Sequence, residues 1–103
     1  MDEPSGIVTI TAKDGRSDEL LQLLEQMATE AAKDDGCEIY AVHRARSPSD
    51  TFFLYELYRD RDAFKQHQQN SKLRSLGAHL GELAESVVLT VGNLVGGDRA
   101  TRS

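Results

Sequence analysis

The chain has 103 residues, 39% hydrophobic and 28% charged, the size and balance of one folded domain rather than of a disordered segment. Its 12 basic against 17 acidic side chains leave a net charge of −5, which argues against a nucleic-acid partner, since such a partner calls for a basic stripe. A lone cysteine, Cys37, permits neither an internal disulfide nor a Cys-x-x-Cys motif, which closes the structural-zinc and thiol-redox classes.

No apolar run approaches the roughly 20 residues of a membrane span. The acidic opening Met1-Asp2-Glu3-Pro4 is unlike a secretion signal, so a cytoplasmic protein is expected. Residues 7–12, β-branched and apolar, predict a first strand. Asp14-Gly15-Arg16 is a turn, Ser17 a candidate N-cap, and Asp18 and Glu19 suit the first turn of a helix. Leu20, Leu24, Met27 and Ala31 recur at helical spacing, with Gly36 as the expected left-handed stop. Residues 37–46 predict a second strand, 47–50 a hairpin loop, and 51–59, rich in aromatics, a third strand.

Asp60 can cap a short helix over 61–69. Asn70 and Ser71 mark a break, with Ser71 capping a second helical segment to about Glu85 along Leu73, Leu76, Leu80 and Leu83. Residues 86–95 predict the last strand, and the polar stretch 96–103 a flexible tail after a domain spanning 1–95. The order β-α-β-β-α-β defines an α+β, ferredoxin-like arrangement: an antiparallel four-stranded sheet with the helices on one face.

Pairing the middle strands about a 47–50 loop puts Tyr40, Val42, Phe53, Tyr55 and Leu57 on one face. Ile39, Ala41 and His43 then share the other with Phe52, Leu54, Glu56 and Tyr58. Neither face alternates with polar residues as a wetted sheet would, and the helices cover only one. A second copy of the chain is the expected cover for the other, which makes a homodimer.

Three stretches together resemble the antibiotic biosynthesis monooxygenase family. They are Asp35-Gly36-Cys37-Glu38-Ile39-Tyr40; Phe53-Leu54-Tyr55-Glu56-Leu57-Tyr58-Arg59-Asp60; and Ala63-Phe64 followed by His67. The resemblance spans most of residues 6–95 and implies a dimeric α+β barrel with a pocket between helices and sheet in each subunit. Activities in that family include cofactor-free oxygenation of anthrones and quinols, isomerisation of a phosphorylated signalling sugar, and haem cleavage. Haem-cleaving members use a tryptophan where this chain has Tyr58, and the chain contains no tryptophan, so that role is disfavoured.

The resemblance makes His67, Glu56 and Tyr58 the candidate catalytic residues. His67 shares a helix face with Ala63 and Phe64, and histidine is the side-chain type that changes charge near neutral pH, which suits a general base or a group that orients the substrate. Its bland alternative is a packed core histidine. Glu56 is either a structural partner or the group that sets the state of a nearby His. Tyr58 offers a hydroxyl or simple packing. His43, Phe52 and Phe64 are candidate substrate-contacting residues, while Tyr40 and Tyr55 fall on the expected dimer face.

His79 is expected to face solvent, Cys37 to pack as a small hydrophobe, and the three His form no metal-ligating pair. Lys65, Lys72 and Arg74 either attract an anionic substrate or form a solvated helix face. The leading expectation is a cofactor-independent monooxygenase using dioxygen on a quinol- or polyketide-like aromatic. An isomerase of a small phosphorylated sugar-like signal and a non-catalytic ligand-binding dimer are the alternatives.

Overall fold

A computed structural model describes residues 3–97. In chain order the elements are β1 (Pro4–Ala12), α1 (Ser17–Ala31), β2 (Cys37–Arg44), β3 (Thr51–Tyr58), α2 (Arg61–Gln69), α3 (Ser71–Gly77), α4 (Leu80–Leu83) and β4 (Ala84–Asn93). The strands form one sheet in the order β2-β3-β1-β4, with every neighbouring pair antiparallel. The ferredoxin-like α+β architecture expected from the sequence is therefore the one observed. The expected tail falls largely on residues 98–103, which lie outside the described residues.

The core lies between the sheet and α1. Ile10, Phe52 and Leu54 face Leu20 and Leu24, and none of the five is more than 2% exposed. Each such side chain contributes about 1.5–3 kcal/mol by leaving water. Of the expected α1 stripe, Leu20, Leu24 and Ala31 are buried and Met27 is half-buried, and Leu23, outside that stripe, is buried with them.

Several local expectations are corrected. Ser17 is the first residue of α1 rather than its cap; Arg16 holds the cap position without a side-chain bond and instead pairs with Glu19 at 2.7 Å. Gly36 has no positive φ. A side chain there would fall on the Cβ of Ala63, so glycine is needed for the close approach of α2 and not for a left-handed stop. Asn70, rather than Ser71, caps the next helix, accepting from the amides of Lys72 and Leu73 at 3.1 Å each.

The single helix expected to run to Glu85 is two short ones, α3 and α4, and the last strand begins at Ala84. Gly77 and Gly81 each disfavour helix by about 1 kcal/mol against alanine, and pairing of Ala84 with Ala12 takes the chain into the sheet.

The register of β2 on β3 also differs, with consequences for the site. The Ala45 amide donates to the Thr51 carbonyl at 2.9 Å, so the connection is the five residues 46–50 rather than the four residues 47–50. One extra residue exchanges the faces of β2 relative to β3. Tyr40 is paired with Glu56 and Val42 with Leu54, on the face under the helices. His43 is paired with Phe53 on the opposite face.

Candidate active site

Alternation along β3 brings Glu56 and Tyr58 to the inward face, two residues apart. Glu56 is 7% exposed, and a carboxylate removed from water is costly unless it is bonded. Tyr58 Oη supplies that bond, donating to Glu56 Oε1 at 2.6 Å. Burial first, and the bond to Glu56 second, push the Tyr58 phenol far above its ordinary range. Tyr58 is therefore a fixed donor that holds its proton. Across the ladder stands Gly6 of β1, where a Cβ would come within 3.6 Å of the carboxyl carbon. The missing side chain leaves that space to the cavity.

The second wall is α2. Asp60 caps it as expected, accepting from the Ala63 amide at 2.8 Å, and that bond is the main cause lowering the pKa of its carboxyl. Ala63, Phe64 and His67 then face the sheet, with the Phe64 and His67 rings 5.2 and 4.9 Å from the ring of Tyr58. His67 Nε2 lies 3.4 Å from Glu56 Oε1, and its Nδ1 lies 3.9 Å from Asp34 Oδ2. The buried Nδ1 has no hydrogen-bond partner. Asp34 is itself held by Asn70 Nδ2 at 3.2 Å. The imidazole thus stands between two carboxylates without a close bond to either.

Sheet and helices enclose a cavity of about 340 Å³. Its buried floor is Gly6, Ile10, Leu24, Leu54 and Glu56. Its exposed rim is Gln68 and Arg74 from the helices, with Val87, Leu89 and Val91 from β4. The polar side chains in its lining are Tyr40, Glu56, His67, Gln68 and Arg74. Among the described residues, no three His, Cys, Asp or Glu side chains converge as a metal-holding set. No helix among them is long and apolar enough to cross a membrane.

Of the residues singled out from the sequence, Glu56, His67 and Phe64 line the cavity, and Tyr58 stands behind Glu56. Two placements are corrected. His43 is on the far side of the sheet, its ring stacked on Phe53 at 4.8 Å. Phe52 shares the inward face but is fully buried in the core, with the Arg44 guanidinium 5.2 Å above its ring, and does not reach the cavity.

Tyr40 moves the other way, from the expected dimer face into the cavity wall, its ring 5.8 Å from that of His67. Asp34 had no sequence signal, because it meets His67 only once α2 has packed across the end of α1. Of the three basic side chains noted on the second helical region, Lys72 pairs with Glu30 at 3.3 Å and only Arg74 lines the cavity. His79 is exposed, as expected.

Comparison with known proteins adds three results. The profile of a family described as antibiotic biosynthesis monooxygenase matches residues 6–79. The fold is similar to that of Rv0793 from Mycobacterium tuberculosis, with a TM-score of 0.82 and 27% identity over 96% of this chain and 99% of that one. It is similar also to PA3566 from Pseudomonas aeruginosa, with a TM-score of 0.84 and 24% identity over 93% and 97% of the two chains. No curated protein matches the chain significantly.

Proposed function

The chain belongs to the antibiotic biosynthesis monooxygenase family, and on that premise we propose that it is a cofactor-independent monooxygenase acting with dioxygen on a quinol- or polyketide-like aromatic. The observation that carries the reading is a buried carboxylate, Glu56, in the floor of a largely apolar cavity with His67 beside it. A hydroxylated aromatic that gives its proton to the Glu56–His67 pair becomes an electron-rich anion. That anion can reduce dioxygen without help from a bound group. One oxygen atom enters the ring as a carbonyl, the other leaves as water with the protons released, and the substrate supplies all four electrons. Apolar walls keep water from the anion and strengthen each polar contact to it.

In this reading Tyr58 fixes Glu56, Phe64 and Tyr40 position the ring, and His67 together with Glu56 serves as the base. A phosphorylated sugar fits less well, because it would need many polar partners and the lining offers one basic side chain. The working unit in this proposal is a homodimer. Ile7, Phe53 and Val88, on the sheet face away from the helices, are 53%, 42% and 59% exposed, and a second copy would cover them.

Oxygen uptake with a panel of hydroquinones and anthrones tests the reading. Uptake above the buffer rate, falling tenfold or more in His67→Ala, is expected. Wild-type protein that consumes no oxygen with any of them would overturn the oxygenase assignment.

A further inference from the structure

The cavity carries one charge of each sign, and burial separates them. Glu56 lies in the closed floor and Arg74 on the open rim, with apolar side chains between. Each has unused capacity. Both contacts to Glu56 fall on Oε1, from Tyr58 Oη at 2.6 Å and His67 Nε2 at 3.4 Å, so among the described residues Oε2 has no donor. Arg74 is capable of five hydrogen bonds. Lys72, on the same helix, has a carboxylate partner in Glu30 at 3.3 Å. Among the described residues the Arg74 side chain has no acceptor. Beside it are Gln68 on α2 and, from β4, the apolar rim.

A ligand complementary to this lining has three parts: a donor for Glu56, an apolar body for the walls, and an anion for Arg74. We infer that the cavity takes a hydroxylated aromatic that also carries a carboxylate or other anionic oxygen group, the hydroxyl donating to Glu56 Oε2 in the floor and the anion paired with Arg74 at the rim. This rests on the proposed placing of the substrate in this cavity and adds its polarity and direction. The ring enters hydroxyl first, so the group that loses its proton is the one farthest from water. The opposite direction would set the anion against the Glu56 carboxylate in a site where like charges repel strongly. Arg74 in this role determines specificity and orientation and is not a catalytic residue.

Three bicyclic probes separate the contributions: 6-hydroxy-2-naphthoate, 2-naphthol and 2-naphthoate, each titrated calorimetrically into the wild type, Arg74→Gln and Arg74→Lys. Arg74 is exposed, so neither variant disturbs the core. The hydroxynaphthoate is expected to bind most tightly. Arg74→Gln should weaken both carboxylates about threefold to tenfold and leave 2-naphthol unchanged. Arg74→Lys should recover part of the loss, and salt at about 1 M should mimic Arg74→Gln, since the pair is open to solvent. If the wild type binds 2-naphthol as tightly as the hydroxynaphthoate, or Arg74→Gln weakens all three alike, the inference is overturned while the cavity remains the binding site. If no probe binds at all, both the inference and the placing of an aromatic substrate in this cavity fail.

Discussion

The phenol of Tyr58 and the carboxylate of Glu56, two residues apart on one face of β3, are joined by a hydrogen bond of 2.6 Å. His67 approaches the same oxygen only to 3.4 Å. The strand itself, not the helix across the cavity, therefore anchors the buried carboxylate. The imidazole stays free to respond to a ligand.

Tyr58→Phe keeps the ring against Phe64 and His67 but removes the donor. Leaving a buried carboxylate short of a partner costs about 1–3 kcal/mol, read as a lowered denaturant midpoint. Combining it with Glu56→Gln should give less than the sum of the two single losses, because the pair is coupled. Additive losses would mean that the bond contributes nothing to stability.

Gly36→Ala is expected to destabilise by about 1–3 kcal/mol, the usual cost of overpacking. The added methyl must push α2 away from β2 at Ala63. Because α2 carries His67, the same variant should lower the proposed oxygenase activity more than Gly81→Ala, whose position has open space around it and no positive φ. An unchanged melting temperature would show that the two elements sit less tightly than described.

Asn70 both caps α3 and holds Asp34, so Asn70→Ala should cost about 1–2 kcal/mol. Asn70→Ser can still cap but its shorter side chain cannot reach Asp34. If the cap accounts for the loss, serine restores most of the melting temperature. If serine is as poor as alanine, the link to Asp34 is the larger part.

The Tyr40 and Tyr58 phenols are both raised, in each case by burial first; the charge of Glu56 adds for Tyr40 and its hydrogen bond for Tyr58. A raised acid favours the folded state while it is protonated, so its contribution is complete below the unfolded phenol's pKa of about 10 and is lost as pH rises past it. Denaturant midpoints should therefore fall above about pH 10. Tyrosinate absorbance from these two rings should appear together with unfolding. Phe substitution at both positions should flatten that decline.

Cys37 is half-buried, and burial, the largest cause, pushes its thiol up to about 11. Alkylation by iodoacetamide at pH 8 should consequently be much slower in the folded protein than in denaturant, since the thiolate is the reactive form. Equal rates would show that the thiol is accessible and unshifted.

What the sequence by itself determined about this protein is local. β-branched runs marked the strands, leucines at helical spacing marked the buried stripe of α1, and Asp60 announced the start of α2, because each of these signals acts within a few residues of its effect. The order of elements then leaves few topologies, and the observed sheet is one of them. The placing of Glu56 and Tyr58 on one face of β3 was legible for the same reason, since alternation needs no partner strand, whereas the bond between them was not.

Only the tertiary structure decided the remainder. Whether Tyr40 or His43 faces the cavity depended on one residue in the length of the 46–50 loop, which a period of two converts into opposite faces. Gly36 is glycine because of Ala63, 27 positions later, and Asp34 meets His67 through Asn70. Such contacts are made between elements whose relative placement is set by packing of the whole core. No window of neighbouring residues contains that information.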